Sequence, residues 1–140
     1  MAFRAVLDTN VVLAADRAST PQSPNREIIN RWAAGEIIWL ITDDIAAEYT
    51  EKLLEKGNDP IEVEAFVTGL LLLAHRIEIL YFHFRHYPVD SDDTIFLLCA
   101  VNGAASHLVS YDRHLLDLAP FYEEFRICPP TMFLADLRAT

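Results

Sequence analysis

Short apolar runs alternate along the chain with longer stretches in which apolar residues recur every three or four positions. Phe3 to Leu7 (FRAVL) is a compact run ending at an acid, Asp8, and reads as a buried strand of a parallel sheet. Thr9 to Ala18 has helical spacing and gives way to the Ser-Thr-Pro-Gln-Ser-Pro stretch from Ser19 to Pro24, a loop by composition; Asn25 to Ala34 then resumes the helical period with Ile28, Ile29 and Trp32. Gly35 ends that helix, and Ile37 to Ile41 (IIWLI) is a second strand. Thr42 and Asp43 offer an N-cap for a helix running to about Lys56, after which Gly57-Asn58-Asp59-Pro60 closes one helix and opens the next. The helix from Ile61 to about His75 carries Val63, Phe66, Val67, Leu70, Leu71 and Ala74 on one face, and Ile77 to Phe82 (IEILYF) is expected as a third strand.

Asp90-Ser91-Asp92-Asp93 opens a helix through Ala105 that is apolar nearly all round, which predicts an interior helix. His107 to Ser110 follows as a fourth strand, Asp112 to Leu118 as a short turn or helix, Glu124 to Ile127 as a fifth strand, and Pro129 to Leu137 as a closing helix with proline in its first turn. Strands that alternate with helices predict a three-layer α/β/α fold with a mainly parallel central sheet of four to five strands. The length of 140 residues fits one compact domain over residues 1–140, and the 52% hydrophobic content is enough for a sizeable core. No internal repeat is evident.

Charge and cysteine usage narrow the function classes. The net charge of −10, from 21 acids against 11 Lys and Arg, has the wrong sign for a protein held on nucleic acid by a broad basic surface, so any polyanion must be bound locally. Cys99 and Cys128 lie in apolar stretches without metal-ligand spacing, which predicts buried thiols and a reducing cytoplasm. The start MAFRAVLDTN lacks the apolar core of a secretory signal, and no apolar run is long enough to span a bilayer, so a soluble protein with no membrane association is expected.

Four acids stand where elements start or stop: Asp8 after the first strand, Glu48 early on a helix, Asp93 at the opening of another, and Asp112 just past the fourth strand. In open α/β sheets ligands gather outside the carboxyl ends of the strands, so acids at those ends converge however distant they are in sequence. Converging carboxylates repel and raise one another's pKa values, and a fold that collects them holds Mg²⁺ or Mn²⁺ there. Each acid also has a plainer reading. Asp8 fits a helix cap, and Glu48, which borders the stripe Ile45, Tyr49, Leu53, fits a solvated helix residue. Asp90 with Asp93 fits an acidic capping arrangement, and Asp112 fits a turn. A third acid at Asp92 adds repulsion without adding a cap, and which of Asp90, Asp92 and Asp93 is the main ligand stays open. Asn10 and Ser110 are placed to support the cluster by hydrogen bonding. His83 and His86 read as surface or packing residues; Arg17, Arg26, Arg85 and Arg113 could meet phosphates, although solvated surface suits each of them better. The four glycines are isolated, which excludes a phosphate-binding glycine loop.

On these residues the chain resembles the PIN-domain family, most closely the prokaryotic toxin components of toxin-antitoxin systems of the VapC-like kind. Leu7-Asp8-Thr9-Asn10-Val11 is similar to the family's opening motif, Asp43 to Glu48 to its second acidic segment, Asp92-Asp93-Thr94-Ile95-Phe96-Leu97 with Cys99-Ala100 to its third, and Leu108-Val109-Ser110-Tyr111-Asp112-Arg113 to its fourth; the tail from Arg126 to Leu137 is similar to the closing strand and helix. The resemblance implies a PIN-like fold and Mg²⁺- or Mn²⁺-dependent hydrolysis of RNA phosphodiester bonds, leaving 5′-phosphate and 3′-hydroxyl ends. It implies Asp8, Glu48, Asp93 and Asp112 as catalytic residues, the same four with Asp92 as metal ligands, and Asn10 and Ser110 in support. RNA is the implied substrate, an antitoxin protein and a second copy of the chain the implied partners.

Two other classes, one with an Asp after the first strand and one that collects acids at strand ends, fail on other residues. Haloacid-dehalogenase-like phosphatases want a second Asp where this chain has Asn10, and both they and response-regulator receivers want a late lysine, whereas the only lysines are Lys52 and Lys56. The remaining alternatives are a PIN-fold RNA- or protein-binding module without nuclease activity, and a PIN nuclease of RNA processing unrelated to toxin-antitoxin systems.

Overall fold

The structure, a computed structural model, describes residues 2–20, 22–84 and 86–140. Five strands form one sheet in the order β3-β2-β1-β4-β5, where β1 is Phe3–Leu7, β2 Ile37–Ile41, β3 His75–Arg76, β4 His107–Val109 and β5 Arg126–Cys128. All four pairings are parallel, with Ala5 opposite both Trp39 and His107. The helices are α1 (Thr9–Arg17), α2 (Pro24–Ala33), α3 (Asp43–Glu55), α4 (Pro60–Leu73), α5 (Thr94–Asn102), α6 (Arg113–Leu116) and α7 (Pro130–Arg138). This is the three-layer α/β/α architecture that the alternation of apolar runs predicts.

Alternation along β2 shows how the layers form. Trp39 meets Trp32 of α2 edge-on at 4.9 Å, while its neighbour Leu40 lies against the end of α5. Successive strand side chains point to opposite faces, so α2 and α5 cover opposite sides of the sheet. Phe3 of β1 stacks with His107 and Phe133 on the α7 side. Gly103, which ends α5, has no room for a side chain: a Cβ there would lie 2.8 Å from the Cys99 carbonyl and 3.0 Å from Leu40 Cδ1.

Four expectations are corrected. The helix read as reaching His75 stops at Leu73, because residues 75 and 76 pair with β2. The third strand is His75–Arg76, not Ile77 to Phe82: Ile77 still donates to the Ile41 carbonyl at 2.8 Å, but β2 ends there and Thr42 turns away to cap α3, leaving nothing for the apolar run to pair with. Instead Asn102 of α5 holds that run. Its Oδ1 accepts from the Leu80 and Tyr81 amides, both at 2.8 Å, and its Nδ2 donates to the Tyr81 carbonyl at 2.9 Å. The helix expected from Asp90 to Ala105 is a 3-10 turn over Ser91–Asp93 followed by α5, which stops at Asn102. Finally, the fifth strand is displaced to Arg126–Cys128. Cys99 and Cys128 are free and buried, and among the described residues no helix is long and apolar enough to cross a membrane.

Candidate metal centre

Parallel strands deliver their ends to one edge of the sheet, and the chain places acids there. β1 is increasingly buried toward Leu7, so the next residue, Asp8, emerges at the carboxyl edge still only 4% exposed. β4 is its direct neighbour: the Asp8 amide donates to the Val109 carbonyl at 2.9 Å, and the chain continues through Ser110 to Asp112. Asp93 arrives from the 3-10 turn ahead of α5 and is 6% exposed. One carboxylate oxygen from each of Asp8, Asp93 and Asp112 lies within 4.8 Å of the others.

The plainer readings of these acids are partly right and do not exhaust them. Asp8 caps α1, its Oδ1 accepting from the Thr9 amide at 2.7 Å, and its Oδ2 also accepts from the Ser110 hydroxyl at 2.6 Å. Asp112 caps α6 by accepting from the His114 amide at 2.8 Å. At the third segment the capping work falls to Asp90, whose Oδ1 accepts from the Asp92 amide at 3.0 Å. The Asp93 carboxylate makes no capping bond, and its Oδ2 is buried with no hydrogen-bond partner among the described residues.

Electrostatics follow from this arrangement. Burial is the main cause of the rise in the Asp93 pKa to about 7, and the charges of Asp112, Asp8 and Asp90 add to it. Burial likewise raises Asp8, opposed by the hydrogen bonds from Ser110 and Thr9. An orphaned buried carboxylate oxygen beside two further acids is costly unless something positive meets it. Hard oxygen donors in a tight group suit Mg²⁺ or Mn²⁺, so the donor set fits such an ion.

Glu48 stands outside the three-acid group. It is half-buried on α3, and burial is the main cause of its raised pKa, with the charges of Asp92 and Asp8 adding to the rise. Asp92 is exposed, and so is Asn10, which makes no hydrogen bond to Asp8. Ser110 is fully buried and bridges two acid segments, donating to Asp8 and accepting from the Asp112 amide at 2.8 Å. His86 packs against Phe121 at 4.3 Å and His83 lies near Tyr81, consistent with packing. Arg17 and Arg113 are exposed, Arg26 is half-buried, and Arg85 lies outside the described residues. Two residues of the site were not singled out from sequence. Thr9 supplies the amide that Asp8 accepts from and has a buried hydroxyl without a partner among the described residues, while Tyr49 donates its hydroxyl to the Leu7 carbonyl at 2.5 Å. A residue directly after a strand-end acid signals the first; the second needed the packing.

Together these features define an α/β protein with an acidic pocket at the carboxyl edge of a parallel sheet. The chain belongs to the PIN domain family, whose sequence profile matches residues 4–114. Its fold is similar to that in the crystal structure of VapBC2 from Rickettsia felis bound to a DNA fragment from their promoter, with a TM-score of 0.58 at 12% sequence identity over 89% of this chain and 96% of that one. No curated protein matches the chain.

Proposed function

We propose that this PIN-domain protein, a single domain over residues 1–140, is a Mg²⁺- or Mn²⁺-dependent endoribonuclease, the toxin component of a type II toxin-antitoxin system acting in the cytoplasm. The observation that carries the reading is the trio of Asp8, Asp93 and Asp112, whose ligand atoms lie within 4.8 Å of one another while one Asp93 oxygen is buried without a partner. Family membership and the resemblance to VapC-like toxins support the choice of RNA as substrate and of an antitoxin protein and a second copy as partners.

When bound, the divalent ion supplies Lewis acidity for water activation and neutralises charge in an in-line displacement at phosphorus. Asp8, Asp93 and Asp112 hold it, and Glu48 approaches from α3 as the fourth acid, with Asp92 at the outer margin. Ser110 and the Thr9 amide hold the Asp8 carboxylate by one hydrogen bond to each oxygen, at 2.6 and 2.7 Å, and so fix the direction in which its remaining lone pairs face the site. Local charge at this pocket is the means by which a chain of net charge −10 takes a phosphodiester.

The test is cleavage of defined RNA and single-stranded DNA with and without Mn²⁺, with product ends identified. RNA is cut only with the metal, leaving 5′-phosphate and 3′-hydroxyl ends, and Asp8→Asn and Asp93→Asn each abolish the cut while folding normally. Cleavage that persists in either variant removes that residue from the catalytic role, and Mn²⁺ binding without cleavage of any substrate favours the binding-module alternative.

A further inference from the structure

The Leu7–Asp8 peptide unit is held from two sides. Its N–H donates to the Val109 carbonyl of β4 at 2.9 Å, and its carbonyl accepts from the Tyr49 hydroxyl of α3 at 2.5 Å. Tyr49 follows Glu48 directly in sequence, and Asp112 lies three residues beyond Val109. One peptide unit is thus the junction of the three segments that carry Asp8, Glu48 and Asp112. Tyr49 is fully buried, and its hydroxyl also accepts from the Trp39 indole N–H at 3.4 Å. A phenylalanine would fill the same space without a polar group to desolvate, so packing alone does not account for the hydroxyl.

Glu48 is the acid that most needs such a pin. Asp8 and Asp112 are held by Ser110 and by the β1–β4 ladder, whereas the Glu48 side chain makes no hydrogen bond among the described residues and is placed only by its helix. A bond from the adjacent residue to the Leu7 carbonyl, directly ahead of Asp8, ties that turn of α3 to the end of β1.

We infer that Tyr49 is a positioning residue: its hydroxyl, bonded to the Leu7 carbonyl, sets the Glu48 carboxylate against Asp8 so that the cluster binds a divalent cation. The inference rests on the metal-centre reading above. It deepens that reading by assigning the fourth acid's placement to one hydrogen bond.

The experiment is a double-mutant cycle read by calorimetric Mn²⁺ affinity, without RNA, on wild type, Y49F, E48Q and the double variant. Y49F weakens Mn²⁺ binding about tenfold, in the range found when an outer partner of a metal ligand is lost. In the E48Q background the same change costs less than about twofold, because the residue through which Tyr49 acts is already neutral. Y49F affinity equal to wild type overturns the inference, as does an equal loss in both backgrounds, which marks a general packing role. Wild type that binds no Mn²⁺ overturns the metal-centre reading itself and the inference with it. Should Y49F not fold, W39F is the second variant: the bond from Tyr49 to Leu7 remains, so affinity stays within about twofold of wild type, and a tenfold loss overturns the inference.

Discussion

Asp93 shows how a single side chain reveals a site. Its neighbours Asp90 and Asp92 complete a turn between themselves, Asp90 accepting from the Asp92 amide, and this leaves Asp93 with one oxygen buried and unpaired and a pKa near 7. Ionised above that pH in metal-free protein, it opposes folding. Asp93→Asn removes that charge and offers N–H donors to the neighbouring carboxylates, so in a chelator at about pH 8 the variant gains about 1–3 kcal/mol, a rise in melting temperature of roughly 3–10 °C. Mn²⁺ stabilises wild type and leaves the variant unchanged; thermal melts in both conditions check this, and a variant that melts below wild type in chelator contradicts it. From the sequence, three acids in four positions signalled more than a cap. Which of them turns inward was not readable there, since it depends on the 3-10 geometry that assigns the cap to Asp90. Asn10 is exposed on the first turn of α1 and makes no hydrogen bond to Asp8, whose carboxylate is held instead by the Thr9 amide and Ser110.

Among the elements, strands buried on both sides were legible and the edge was not. Ile37–Ile41 and Phe3–Leu7 stand where the apolar runs put them because each is enclosed by neighbours and helices. The apolar run Ile77 to Phe82 has strand composition, yet its pairing is limited by the length of β2, a fact held in another part of the chain. The run is secured instead by Asn102, whose amide makes three of its hydrogen bonds to Leu80 and Tyr81 and a fourth to the Leu98 carbonyl at 2.9 Å. Asn102→Ala leaves these groups to water and costs about 1–2 kcal/mol. Hydrogen exchange quickens at the Leu80 and Tyr81 amides while the amides of α5 stay protected; unchanged exchange at both positions refutes the clamp.

For the molecule as a whole, the proposed metal site would couple ion binding to pH. Asp8, Asp93 and Glu48 all have pKa values raised in the folded state, so each favours folding below its unfolded value and that stability is lost as pH rises through the folded one. His107 runs the other way: burial lowers its pKa, in opposition to the bond with Asp136 at 2.9 Å, and its stability is lost as pH falls. The two effects overlap on the acidic side of neutrality, and only the first would respond to a bound ion. The melting-temperature increment produced by Mn²⁺ therefore grows between about pH 5 and about pH 8 in wild type and is flat in D93N, because binding requires the carboxylates to release protons. An increment that shrinks with pH excludes these acids as the ligands. The central place of β1 also governs when the pocket comes into being. Ser110 and Asp8 are separated by 102 positions, and β1 acquires its neighbour β4 only with His107–Val109. The nascent polypeptide must therefore have emerged through Asp112 before the three carboxylates can meet, and a fragment that stops short of β4 lacks the pocket.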